Sequence, residues 1–411
     1  MGNLNKNILA ILLGLLASFF LLEGLLRIFQ PIEFRVKGNK IILPAHKKYQ
    51  FTNDKTDKLD PIIYTSRNPM GFRGEIPPPN FADYLTMITV GGSTTACEAI
   101  SDGKTWCDLL GKQLRQSFQP FWLNNAGLDG TTTYGHLILM EDFIIKLRPK
   151  VVLFLVGANE LGLSDLTKWD VKFLKKPVTG ALAALQEKLV NGSEALSYAI
   201  NFYRYAKARK RGLHHQTFDF ANLKSSVVSQ EHIQSLIQLA RAQHLEPFAA
   251  RLTRLIDICR ENSIEPVFIT QPMVFGDLID PVTGTDLGSA DTHALNGKTF
   301  WQLLEIYNDV TRATARRHGV ELIDLGREMP KSSAYYYDTF HYSNAGCELV
   351  ADILGRHLEP FLKKKYPQFS TVRPSGEQTS HLASPTRRHD RHSRLPAFSG
   401  PPCGPTLQES R

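Results

Sequence analysis

Three side chains in a chain of 411 residues, one of them remote from the other two, have the types that acyl transfer needs. Ser93 stands in Gly91-Gly92-Ser93-Thr94-Thr95, a tight Gly-rich turn that directly follows an apolar run. A serine hydroxyl is a poor nucleophile until a base takes its proton. His341 is of the right type for that base, because imidazole exchanges protons readily near neutral pH. Asp338, three residues earlier in Asp338-Thr339-Phe340-His341, is placed to accept a hydrogen bond from the other ring nitrogen. That bond fixes the tautomer and stabilises the imidazolium. Neither half says much alone: a Gly-Ser turn is often a simple helix cap, and most histidines pack or cap. Together, in the order Ser…Asp…His, they spell an esterase-type site.

Acyl transfer also creates an oxyanion, which needs donors aimed at it. The backbone N–H groups of Ser93 and Gly127 and the side-chain amide of Asn159 are the candidates. Losing one such donor typically costs ~100- to 1,000-fold in rate. Glycine at 127 lets the backbone approach without a side chain in the way.

Five segments read as strands: Leu85–Val90, Trp122–Asn124, Val151–Val156, Pro266–Thr270 and Val320–Leu325. Three are continuous apolar runs, as strands buried on both faces of a parallel sheet should be. Amphipathic stretches alternate with them at Trp106–Phe118, Thr133–Leu147, Phe248–Asn262, Thr299–His318 and Ala345–Leu362. This alternation predicts an α/β fold, a three-layer α/β/α domain on a mostly parallel five-stranded sheet. In such sheets ligands bind outside the carboxyl ends of the strands. Ser93 follows the first strand, Asn125-Ala126-Gly127 the second and Gly157-Ala158-Asn159-Glu160 the third. Asp338 to His341 follows the fifth, just before the last helix. The candidate residues therefore share one sheet edge.

The expected organisation is an N-terminal anchor (1–30), a linker packing on the domain (31–83), the catalytic domain (84–369) and a disordered tail (370–411). Residues 162–243 are too many for a plain connection. They contain helical patterns at Thr179–Val190 and Ala195–Arg209 and form either a helical insertion over the sheet edge, where a lid would sit, or a structural excursion. Ile8–Phe29 is apolar apart from Glu23 and Arg27. It is long enough to cross a bilayer as an uncleaved transmembrane signal anchor if those two charges snorkel to an interface. The positive-inside rule, with Arg27, Arg35, Lys37 and Lys40 after the span, leans toward a cytoplasmic domain.

The formal charge is +8. The last 41 residues supply six Arg against three acids, which leaves +5 for the rest. With no basic stripe interleaved with aromatics, nucleic acid is excluded as a partner. The five cysteines show no metal-type spacing. Cys97 and Cys107, ten apart, are open to two readings: a disulfide or two buried thiols.

Ser93, Gly127, Asn159 and His341 resemble, in order and context, the four blocks of the SGNH hydrolases, also called GDSL-type esterases and lipases. The resemblance runs from about Tyr84 to Leu362. Asn68-Pro69-Met70-Gly71-Phe72-Arg73-Gly74 and Asp102-Gly103-Lys104-Thr105-Trp106 are similar to segments of membrane-anchored bacterial members. It implies a flavodoxin-like fold, a serine nucleophile, a three-donor oxyanion hole, no metal or organic cofactor, and a domain facing outward, against the Lys/Arg count. Two positions depart from the pattern. Gly92 stands where the first block usually has Asp, and Glu160 stands where the third usually has Asp. The expected activity is that of a serine esterase acting on an acyl ester, such as acetyl, of a carbohydrate or lipid. The alternatives are an O-acyltransferase on envelope or extracellular polysaccharide, and a non-catalytic binding protein.

Overall fold

The computed structural model describes residues 2–29, 32, 34, 36–37, 40–161, 188–189, 191–210, 217–292 and 295–371. The expected helix Thr179–Val190 (apart from residues 188 and 189) and the expected tail beyond Thr371 lie outside the described residues.

A short antiparallel hairpin, β1 (Lys48–Thr52) and β2 (Ile62–Ser66), precedes the main sheet. The sheet comprises β3 (Leu85–Gly91), β4 (Phe121–Asn125), β5 (Val151–Val156), β6 (Glu265–Thr270) and β7 (Glu321–Ile323). The strand order is β4-β3-β5-β6-β7. Every pairing is parallel, so the sheet is wholly rather than mostly parallel. Strand β3 pairs with β4 on one side and β5 on the other, so connections leave its end in opposite directions. That end is the topological switch point of a doubly wound sheet, where such folds bind ligands. Ser93 sits there.

Period-2 alternation splits the strands between two apolar layers. Met87, Leu123, Leu153 and Ile269 face a core shared with α3 (Trp106–Ser117) and the last helix, Asn344–Lys365. Ile88, Val152, Phe154 and Phe268 face a second core. This one is built with α4 (Thr133–Leu139) and the helices Leu245–Glu261 and Gly297–His318. The stretch Thr133–Leu147, expected as one helix, is interrupted: a π-turn over Met140–Ile144 separates two α segments. Such turns widen the ladder by one residue, a change that apolar spacing does not register.

The first helix, α1 (Gly2–Phe29), is long and apolar enough over Lys6–Phe29 to cross a membrane, with a mean hydropathy of 2.4. Its outward residues, Leu9, Leu15, Phe20 and Leu21 among them, are exposed. Of the insertion, two helices are described: α5 (Glu194–Lys210) and α6 (Gln230–Gln243). Helix α5 packs on α1, and further along the chain the Phe218 N–H donates to Tyr337 O at 3.0 Å.

His136 on α4 is buried between this second core and the sheet edge. Burial pulls its pKa from 6.5 down to about 3, against a smaller opposing pull from the Gly91 backbone. Between those two values the unfolded chain holds a proton that the folded chain refuses, so stability falls as pH drops through that window. At pH 5 this is worth about 2 kcal/mol. Urea unfolding at pH 7 and pH 5 checks it. The wild type should lose about 2 kcal/mol more than His136→Leu across that interval, and equal losses would refute the assignment.

Candidate active site

Ser93 opens α2 (Ser93–Ala96), a single helical turn. A one-turn helix cannot satisfy its own carbonyls, because the last four in any helix lack internal partners. Here the rest of the fold supplies the donors. Trp106 Nε1 donates to Thr94 O at 2.9 Å. Asn125 Nδ2 donates to Thr95 O at 2.6 Å. Arg73 Nη1 donates to Ala96 O at 2.9 Å and Cys97 O at 2.7 Å. Its Nη2 reaches Ile100 O and Asp102 Oδ1 at 2.8 and 2.7 Å. Arg73 is buried, and its backbone forms a bridge with Asn125 at the outer edge of β4. The turn that carries Ser93 is therefore clamped from β4, from α3 and from the segment before the sheet.

Gly127 follows the β4 end. A Cβ there would lie 2.4 Å from Ala96 N and 2.7 Å from Thr95 C, so only glycine permits this contact with α2. Its N–H donates to Asn125 Oδ1 at 2.8 Å. As an oxyanion donor it would therefore be shared with Asn125. Asn159 lies in a 3-10 turn after β5. Its Nδ2 donates to Thr131 O at 3.0 Å, which commits one of its two amide hydrogens. The same nitrogen lies 2.2 Å from where a Cβ on Gly92 would be. Gly92 and Asn159 are thus in face-to-face contact beside Ser93. In this geometry an aspartate at 92 would occupy the place of the Asn159 amide.

The second departure also has a physical role. Glu160 is buried and accepts from Thr133 N and Thr133 Oγ1, both at 2.7 Å, at the first turn of α4. Its other oxygen pairs with Arg251 Nη2 at 2.9 Å, and Arg251 Nε donates to Thr133 Oγ1 at 2.6 Å. Arg251, from helix Leu245–Glu261, stacks over Tyr134 at 4.0 Å. Glu160 therefore caps one helix and ties down a second. Breaking such a buried pair by removing one partner costs ~3–5 kcal/mol. The turn that carries Asn159 is held by its own next residue.

Asp338 and His341 are brought together: Asp338 Oδ2 lies 2.6 Å from His341 Nδ1. Asp338 Oδ1 accepts the N–H groups of Phe340 and His341 at 2.9 and 2.8 Å. The imidazole stacks on the Tyr337 ring at 5.6 Å. A Tyr336–Tyr342 bridge closes the loop. It is braced from outside by Val274 N–H to Thr339 O at 3.0 Å and by Lys58 Nζ to Tyr336 O at 3.3 Å. Cys97, at the end of α2, meets Cys347 of the last helix. Burial, and then this neighbour, push the Cys347 thiol well above its ordinary range. Tyr337 is likewise raised, chiefly by burial and then by Asp338. Cys97 and Cys107 are free and buried, so of the two readings the structure gives thiols. Cys107 meets Thr89 Oγ1 at 3.6 Å instead.

Among the described residues no group of His, Cys, Asp and Glu could hold a metal ion. Sequence reading missed Arg73 as a clamp and missed Arg251 altogether. Arg73 had a signal, since it lies in the quoted segment between Gly71 and Gly74. Arg251 had none, being one cation among several on an amphipathic helix.

Residues 89–349 match the family model described as the GDSL-like Lipase/Acylhydrolase family. No curated protein matches the chain. Among solved structures, the chain is similar to an acetylxylan esterase from Geobacillus stearothermophilus, at 14% identity and a TM-score of 0.37. That match covers 66% of this chain and 93% of the other. It is also similar to an alpha/beta hydrolase enzyme from the metagenome of Lake Arreo, Spain. There the identity is 13% and the TM-score 0.37, over 66% of this chain and 94% of the other. Identities this low say nothing about substrate.

The Gly92–Asn159 contact gives a direct test of the oxyanion geometry. Gly92→Asp should displace the Asn159 amide and cut aryl-acetate turnover by ~100-fold or more. Gly92→Asp turnover within threefold of wild type would show that Asn159 is not held there for catalysis.

Proposed function

The chain belongs to the GDSL-like lipase/acylhydrolase family and is an ester hydrolase, and from that premise we propose that it works through an acyl-serine at Ser93. The observation that carries this reading is the Asp338–His341 pair. With Asp338 Oδ2 on Nδ1 at 2.6 Å, Nδ1 holds the proton and Nε2 is the basic nitrogen. In the proposed reaction Ser93 Oγ attacks the ester carbonyl and passes its proton to His341 Nε2. The tetrahedral oxyanion is met by the N–H groups of Ser93 and Gly127 and by the Asn159 amide. Its collapse breaks the ester C–O bond, and His341 returns the proton to the leaving alcohol. Water then attacks the acyl-Ser93 with His341 as base, releasing the acid and restoring the serine. An acyl group of acetyl size on a carbohydrate or lipid alcohol is the proposed substrate.

Full-length protein in detergent should hydrolyse p-nitrophenyl acetate. Ser93→Ala and His341→Ala should each lower kcat by at least ~1,000-fold. Equal background rates in all three would sink the mechanism. Acetyl passing to an added oligosaccharide faster than to water would replace hydrolysis with transfer.

We also propose that α1 is retained as a membrane anchor rather than removed as a signal sequence. What supports this is its end: Glu23 and Arg27 are bonded to residues 192–195 of the folded chain. The domain is proposed to face away from the cytoplasm. Alkaline phosphatase fused after Ser370 should then be active in a bacterial host, and a stable but inactive fusion would reverse the orientation.

A further inference from the structure

Helix α5 is polarised the wrong way round for a helix surrounded by water. The face turned inward is Ser193, just before the helix, then Ser197, Tyr198 and Asn201, all buried. Asn201 Nδ2 donates to Ser197 O at 2.9 Å within it. The face turned outward is apolar. Leu196, Ala199, Tyr203 and Ala206 follow one another at three- and four-residue spacing and are all exposed. Tyr203 is 68% exposed, and neighbouring Phe202 is 48% exposed. In a soluble helix the apolar stripe faces the core. An inverted stripe needs an apolar or interfacial surrounding.

The helix is fastened to the anchor by a buried carboxylate. Glu23 of α1 accepts from Ser193 Oγ at 2.8 Å, Glu194 N at 2.9 Å and Ala195 N at 3.0 Å. It thereby fills the orphan donors at the start of α5. Arg27 donates its Nε to the same carboxylate at 2.8 Å and an Nη2 hydrogen to Gly192 O. One turn of α1 thus bonds its own ion pair to the entry of the insertion. Past the anchor, Tyr198 Oη donates to Ile32 O at 2.6 Å, and Phe34 packs edge-on against Tyr198 and Phe202. Glu23 lies where the charge-free stretch Ile8–Leu22 of α1 ends, which puts it near an interface when α1 spans a bilayer. The helix that carries this exposed face packs directly on α1, whose own surface is exposed and apolar. Its second half carries Tyr203, Tyr205, Arg204, Lys207, Arg209 and Lys210. Aromatics with Lys and Arg are the composition of a helix lying in a headgroup region.

We propose that α5 is an interfacial helix: it lies on the bilayer that α1 crosses, its Leu196–Tyr203 face in contact with lipid, locked to the anchor by Glu23. The partner surface is an anionic phospholipid bilayer. This makes the start of the insertion a membrane-docking device and leaves its return segment, which bonds to the base loop, as the part nearest catalysis. The inference rests on the reading of α1 as a retained anchor.

The test uses the full chain with Cys403→Ser, in which the four remaining cysteines are buried. Single cysteines at Tyr203, Leu15 and Val227 carry an environment-sensitive nitrobenzoxadiazole label. Val227, at 99% exposure, reports on water. In vesicles of phosphatidylcholine and phosphatidylglycerol, the labels at 15 and 203 should shift to the blue and be quenched by nitroxide lipids. The label at 227 should do neither. A shift at 15 without one at 203 overturns the proposal and leaves the anchor standing. No shift at either overturns the anchor reading, and the proposal with it. A shift at 203 that grows with protein concentration in the absence of vesicles assigns the face to a second copy, and also overturns it. Glu23→Ala should return the label at 203 to water while the label at 15 stays in lipid; an unchanged label at 203 removes Glu23 from the lock. Phe202→Asp leaves the Glu23 bonds intact and should have the same effect on the label at 203.

Discussion

A helix of one turn cannot hold itself together, and the position of Ser93 depends on that fact. With four residues, α2 has carbonyls that no internal N–H can reach. An unmet buried carbonyl costs roughly 1–3 kcal/mol, so the turn persists only where outside donors arrive. Trp106, Asn125 and Arg73 deliver them to Thr94, Thr95, Ala96 and Cys97. Each donor comes from a different part of the chain, which means the nucleophile turn is defined by the assembled sheet edge rather than by its own sequence. Arg73 is the most demanding of the three. A guanidinium has five donors in a fixed fork and no acceptor, and here it meets three backbone carbonyls around the end of α2 and the Asp102 carboxylate. A lysine would offer a point charge without that geometry.

The remaining oxyanion candidates are placed against the same turn by contacts that exclude side chains. Gly127 touches its backbone, and Asn159 covers Gly92. The family's usual aspartates at the positions of Gly92 and Glu160 are absent, yet both sites are structurally accounted for. Glycine at 92 makes room for the Asn159 amide. Glutamate at 160 is long enough to cap α4 and still reach Arg251. The departures thus alter how the Ser93 turn and the Asn159 turn are braced.

Much of the fold was legible because it rests on local pattern. Short β-rich runs, three of them continuously apolar, marked the five strands, and the glycine turns after them marked one sheet edge. Asp338 and His341, three apart, were legible as a pair for the same reason. What stayed hidden were partnerships between remote residues. Arg73 with the α2 carbonyls, Glu160 with Arg251 and Glu23 with Ser193 each join polar groups that have no shared periodicity. The cysteines show the same limit. Spacing put Cys97 and Cys107 near each other in sequence, but α3 turns Cys107 toward Thr89, while Cys97 ends α2 facing Cys347.

The insertion raises a question that geometry answers in part. Its two described ends do different things: α5 is bound to α1, and the N–H of Phe218 donates to the carbonyl of Tyr337, four residues before His341. One excursion of chain therefore touches both α1 and the loop of Asp338 and His341. A plain lid needs neither the Glu23 bonds nor an apolar outer face on α5. Both are present, and they are costly for a helix in water, where an exposed apolar face forfeits burial. Those two features, more than the length of the insertion, are what the proposed lipid contact of α5 accounts for.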